Sequence, residues 1–150
     1  MNTPSMLRAL PDEHQQRLMR LAREVAFAQG TRIFDEGARA DRFWIIRTGS
    51  VELDTAVPGR RRAVIETLGH NELVGVSWLF APYVWHLGAT AVTPVRAYEF
   101  DATAVRFLCQ DPAFAHSVTR WAGDVLAHRL RTTRTRLLDL YAPQGAGSTV

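Results

Sequence analysis

Gly30-Thr31-Arg32-Ile33-Phe34-Asp35-Glu36-Gly37 is the stretch that decides the fold: a short β-prone run set between two glycines. Working outward from it, glycines recur at Gly49, Gly59 and Gly69, so that the whole series is spaced at intervals of 7 to 12 residues. Between them lie the β-rich runs Thr31–Phe34, Phe43–Arg47, Ser50–Thr55 and Ala63–Leu68. Short strands punctuated this evenly by turn residues predict an antiparallel sandwich or barrel. Val51, Leu53 and Thr55 alternate with Glu52 and Asp54, which predicts a strand wet on one face. Pro58-Gly59 followed by Arg60–Arg62 predicts a hairpin tip that keeps its charges in water. Ala89–Phe100 supplies one or two further strands, with Pro94 at a strand end, edge or turn.

On either side of residues 26–100 the pattern is helical. Pro11 to Val25 reads as an N-terminal helix, with Pro11-Asp12-Glu13 in its first turn and Leu10, Leu18, Leu21, Ala22 and Val25 on its apolar side. Asp101 caps a short helix running to about Cys109, and Asp111-Pro112 supplies the cap and first residue of a long one. From Pro112 to Tyr141 that helix would measure about 45 Å. Phe114, Val118, Trp121 and Val125 form one apolar face of its first half. In the second half the apolar face moves round by about 120°, to Leu126, Leu130, Thr133, Leu137 and Leu140. Those five are spaced 4, 3, 4, 3, the spacing of a two-heptad coiled-coil seam. The first stripe is expected to pack on the barrel and the second to meet a partner helix, giving a homodimer; the alternative is that both stripes touch the same barrel. Arg120, Arg131 and Arg134 share one face, with Arg129 and Arg136 roughly opposite, as solvated flanks of a seam rather than a phosphate-tracking stripe. Residues 142–150 are expected to be a disordered tail.

The composition bounds the function. The chain of 150 residues is 47% apolar and 22% charged, enough for one domain with a real core, 1–141. Its 18 basic residues are all arginine and face 15 acids, a net charge of +3 that does not mark a nucleic-acid binder. Cys109 is the single cysteine, so no internal disulfide and no cysteine cage for zinc can form, and the thiol fits a reducing, cytoplasmic location. Leu73 to Val95 lacks Asp, Glu, Lys and Arg, yet Gly75, Pro82, Gly88 and Pro94 would break a spanning helix, so a buried segment is expected and no membrane span. No Walker loop, His-Glu-x-x-His or nucleophile elbow is present, and the five histidines are scattered. An enzyme is not expected, and neither is a metal site.

An N-terminal helix, a glycine-punctuated barrel and a long C-terminal helix resemble the cyclic-nucleotide-binding domain of the catabolite-activator/FNR superfamily. The residues that carry the resemblance are Gly30 to Gly37, Ala40-Asp41-Arg42-Phe43-Trp44-Ile45-Ile46, Thr48-Gly49-Ser50-Val51 and Leu68-Gly69-His70-Asn71-Glu72-Leu73-Val74-Gly75, with Ala127-His128-Arg129-Leu130 and Thr133 in the dimerising helix. It implies a mainly β fold with flanking helices: a double-stranded β-helix, or jelly-roll, barrel and a long C-terminal helix. It also implies a ligand site, in which a cyclic phosphate meets the start of a short helix, a Glu binds the ribose and an Arg pairs with the phosphate. That short helix would begin at Gly75, Val76 and Ser77, continuing through Trp78 and Leu79. The Glu position holds Val76, and the Arg position falls at Trp85 or His86. Two of three polar anchors are therefore missing. Each such charged hydrogen bond contributes about 1.5–3 kcal/mol, so losing two would weaken cyclic AMP binding by roughly two to four orders of magnitude.

Trp78, Phe80, Tyr83 and Trp85 crowd the same segment. They either plug the former cavity or stack a planar ligand, with His86 or Ser77 as polar handle. Haem, which some relatives in the superfamily carry, is not expected on a lone His86. Thr133 matches a helix position that reaches the nucleotide base in the family, or serves only the seam. The family's helix-turn-helix would need more chain than the nine residues after Tyr141, so specific DNA recognition is not expected of this polypeptide. The expectation is a regulatory or sensor module without its own output domain, with weak or lost cyclic AMP binding, reporting to an unidentified protein partner; the alternative is a ligand-free dimerisation scaffold in a larger complex.

Overall fold

The computed structural model describes residues 10–141, so the tail expected at 142–150 lies outside the described residues. Helix α1 (Asp12–Met19) leads into eight strands: β1 (Arg23–Phe27), β2 (Arg32–Phe34), β3 (Arg42–Thr48), β4 (Val51–Thr55), β5 (Ala63–Leu68), β6 (Leu73–Val74), β7 (Gly88–Ala91) and β8 (Val95–Asp101). A single 3₁₀ turn (Ser77–Leu79) interrupts the strands, and α2 (Ala102–Leu108) and α3 (Pro112–Tyr141) end the chain. The strands form two antiparallel four-stranded sheets, ordered β1-β8-β3-β6 and β2-β7-β4-β5. This is the jelly-roll arrangement that the resemblance implies, and it is antiparallel as the glycine spacing predicts.

Three local expectations differ from the structure. The N-terminal helix stops at Met19 rather than reaching Val25, because residues 23–27 pair instead with β8, Arg23 against Glu99 and Val25 against Ala97. The sheet edge offers five backbone partners, and that outweighs a weak helical pattern. The barrel accordingly begins at Arg23, not at residue 26. In β4, Asp54 is buried rather than wet. The β4–β5 register slips between Leu53 and Asp54, and the carboxylate turns in to meet Arg32 at 2.6 Å and Arg62 at 3.3 Å.

β3 shows how the core is layered. Neighbouring strand residues point to opposite faces. Phe43 stacks on Trp78 and Phe100 and meets the edge of Trp121 from α3, while Trp44 turns to Phe34 in the other sheet. The β1-β8-β3-β6 sheet is thus covered by the second sheet on one side and by helices on the other. Gly49 makes the β3–β4 turn at φ +96°, where a β-carbon would lie 2.3 Å from the Pro94 carbonyl oxygen, so only glycine closes this corner.

Both C-terminal helices are capped as expected: Asp101 accepts from the Thr103 amide at 2.9 Å and Asp111 from the Ala113 amide at 3.0 Å. The Arg17 guanidinium, together with that amide, holds Asp111 below the usual carboxylate range and ties α1 to α3. With its pKa depressed, Asp111 stabilises the fold above the ordinary carboxylate range and loses that contribution as pH falls through its folded value. Replacing Asp101 with alanine is expected to lower stability by about 1 kcal/mol. A denaturation midpoint unchanged within error would show the cap to be dispensable.

Phe114, Val118, Trp121 and Val125 are all buried, so the first stripe of α3 packs on the barrel. The second stripe is not covered: Leu126, Leu130, Leu137 and Leu140 are 38%, 71%, 50% and 43% exposed. Among the described residues, no helix is long and apolar enough to cross a membrane. The charge-free segment 73–95 is divided among β6, the 3₁₀ turn, β7 and their connections.

Candidate functional site

Gly75 ends β6 at φ +97°, a conformation that turns the chain sharply into Val76 and the 3₁₀ turn. The benzo edge of the Trp85 indole crowds this glycine, so close that a β-carbon there would sit 2.5 Å from Trp85 Cζ3. Trp85 also stacks on Phe34 with ring centroids 3.9 Å apart. The backbone of Trp85 is held by Ala38 and Gly37 on both sides, at 2.9 and 2.7 Å. Next to it His86 is exposed, and its Nδ1 meets Ser77 Oγ at 3.2 Å across the bend.

These groups open onto a cavity of about 350 Å³ between the barrel and α3. Gly75, Val76, Ser77, Trp85 and His86 form one wall, with Phe34, Leu53 and Leu87 beside them; Leu126, Arg129, Leu130 and Thr133 of α3 form the other. The aromatic plug expected as one alternative is partial: Trp85 seals Gly75, and open space remains beyond it.

Not every residue expected at the site reaches it. Trp78 turns the other way, fully buried, stacked on Phe43 and donating Nε1–H to the Gly75 carbonyl at 3.1 Å. Its large apolar ring gains more by filling the core against Phe43, beside α2, than by facing a half-open cavity. Leu79 packs against the same core and lies outside the cavity lining. Leu126 and Leu130, expected only in a dimer seam, also line the cavity.

Arg129 lines the cavity, against the expectation of a solvated flank. Only 11% of its side chain is exposed; Nε donates to Glu66 at 3.3 Å and Nη2 to the Leu73 carbonyl at 3.0 Å. Burial pulls its pKa down, opposed by the attraction of Glu66 and then of Glu72. The signal was available, because Leu126, Arg129, Leu130 and Thr133 share one helical face at spacings of three and four. Arg136 is likewise turned inward, donating Nε–H to the Val64 carbonyl on β5 at 3.0 Å. Thr133 faces the cavity, but its hydroxyl donates back to the Arg129 carbonyl at 2.7 Å.

The family model for the cyclic nucleotide-binding domain matches residues 24–111. A CRP-like cAMP-activated global transcriptional regulator of Mycobacterium tuberculosis is 33% identical over 117 residues, 77% of this chain and 50% of that protein. The chain therefore spans about half the length of that curated relative. The N-terminal domain of a transcriptional regulator from Streptomyces coelicolor superposes with a TM-score of 0.67 at 30% identity, covering 88% of this chain and 91% of that one. A cyclic nucleotide-binding protein from Geobacter metallireducens gives a TM-score of 0.75 at 23% identity, covering 87% of this chain and 99% of that one, and likens the fold.

Proposed function

The chain belongs to the cyclic nucleotide-binding domain family of the catabolite-activator/FNR type, and from that premise we propose that it is a ligand-responsive regulatory module whose cavity has moved away from cyclic AMP. Its role is regulatory rather than enzymatic: occupation of the cavity changes how α3 sits on the barrel, and α3 pairs with a second copy and signals to a partner protein. The observation that carries this reading is the cavity itself. It is walled jointly by the turn after β6 and by Leu126, Arg129, Leu130 and Thr133 of the long helix, so whatever fills it touches both. A ligand that binds this state preferentially shifts the population toward it. The persistence of about 350 Å³ beyond Trp85 favours a ligand module over a ligand-free scaffold.

Cyclic AMP fits poorly. Val76 stands where a ribose-binding carboxylate is needed, and the Trp85 indole crowds Gly75 where an anion would seek backbone N–H groups. Restoring the two anchors as Val76→Glu with His86→Arg is expected to raise cyclic AMP affinity by about two orders of magnitude or more. His86 is preferred to Trp85 for this change because it is exposed and faces the cavity, whereas Trp85 is packed on Phe34. The new Glu would lie in the same cavity as Arg129, which lowers the cost of burying it. Calorimetric titration of both proteins decides the matter. A folded double variant with no gain would mean that residues 75–86 are not a nucleotide cassette in altered form.

A further inference from the structure

Resting on the reading of this cavity as a ligand site, we infer that its ligand is an apolar organic monoanion, an aromatic or alkyl carboxylate with its body against the carbon walls and its head at Arg129. The walls set the body. Phe34, Leu53, Trp85, Leu87 and Leu130 present carbon, and a ribose or a phosphodiester laid against them would lose hydrogen bonds to water without replacement. An alkyl chain or fused ring system gains from the same contact, about 25 cal/mol per Å² of apolar surface removed from water.

Arg129 sets the head. The chain has no lysine, and Arg129 is the single arginine lining the cavity. Its Nε and Nη2 are engaged, leaving Nη1 without a hydrogen-bond partner among the described residues. Nor is Nη1 sealed away: among the described residues Trp121 Nε1 is the buried side-chain polar atom left unpaired. Glu66, the counter-ion of Arg129, is shared with His128 at 3.2 Å, and Glu72 is held by the Gly69 amide at 2.8 Å. The free Nη1 can donate one further charge-assisted hydrogen bond, to a single carboxylate oxygen. The exposed Ser77–His86 pair at the opposite wall adds hydrogen-bonding groups.

The test is calorimetric titration of the full chain with 2-naphthoate, with 2-naphthalenemethanol as its neutral counterpart of the same ring, and with cyclic AMP. Naphthoate is expected to bind one site per chain, roughly tenfold or more tighter than the alcohol. Arg129→Lys should keep part of that preference. The paired change Glu66→Gln with Arg129→Gln removes both charges together, so that neither is left buried alone, and should bring acid and alcohol within about twofold of each other. Equal binding of acid and alcohol by the parent protein would overturn the anionic head while leaving the cavity a ligand site. Cyclic AMP binding tighter than naphthoate would overturn the ligand class. Binding of none of the three would remove the ligand reading of the cavity itself, and the anion with it.

Discussion

Alanine at Phe43 is expected to cost about 3–5 kcal/mol of stability. Phe43 is fully buried and joins four elements at one point. Its ring stacks at 4.2 Å on Trp78 of the 3₁₀ turn and at 4.7 Å on Phe100 of β8, and it receives the edge of Trp121 from α3 at 6.4 Å. Removing the ring deletes apolar burial and three aromatic contacts, each worth roughly 0.5–1.5 kcal/mol beyond area, and the planar neighbours cannot collapse into the gap without leaving their rotamers. A domain of this size holds about 5–15 kcal/mol in all, so roughly a fifth or more would go. Urea denaturation should show a lower midpoint with an unchanged slope. Phe107→Ala is the control: that ring is 67% exposed and its loss should stay within about 0.5 kcal/mol. A Phe43→Ala loss below about 1 kcal/mol would mean that α3 is not clamped to the barrel through this ring.

The same ring explains how far the sequence could be read. Turn chemistry is local, so Gly49 and Pro58-Gly59 announce their corners, and the predicted strands fall within a residue or two of those in the structure. Helix caps are local too, which is why Asp101 and Asp111 were legible. Side-chain direction after β6 is not. Nothing in Gly75-Val76-Ser77-Trp78 says that the first three face a cavity while Trp78 swings into the core onto Phe43; the positive φ of Gly75 and the pull of Phe43 decide it. Arg129 illustrates a second limit. Composition makes an arginine on a helix look solvated; its shared face with Leu126 and Leu130 hints otherwise, but the partners that draw it in, Glu66 on β5 and the Leu73 carbonyl on β6, are set by the fold. Val25 illustrates a third, since a weakly helical run becomes a strand when a sheet edge lies within reach.

Changing Leu137 and Leu140 together to glutamate is expected to convert a homodimer into monomers. The proposed seam runs through Leu126, Leu130, Thr133, Leu137 and Leu140, and among the described residues nothing covers it beyond Thr133, where Leu137 and Leu140 stand half exposed. Leu137 and Leu140 are the informative pair because they lie outside the cavity lining, whereas Leu126 and Leu130 serve both surfaces. In a two-fold pair each substitution acts twice. Burying one leucine contributes about 1.5–3 kcal/mol, so four would contribute about 6–12 kcal/mol as an upper bound, and even half of the lower figure weakens association by about a hundredfold. Facing glutamates add repulsion in a region of lowered dielectric. The flanks predict the salt dependence as well. Arg134 is exposed beside the seam, whereas Arg129 and Arg136 are turned onto β6 and β5, so pairing brings exposed like charges together and the parent dimer should tighten as salt screens them. Sedimentation velocity at two salt concentrations reads both effects. A parent chain that is monomeric at high micromolar concentration, or a double variant that remains a dimer, would place self-association elsewhere. In the first case the exposed leucines of α3 would have to answer to a different protein, and in the second the cavity and the seam would no longer share one helix as the route between ligand and output.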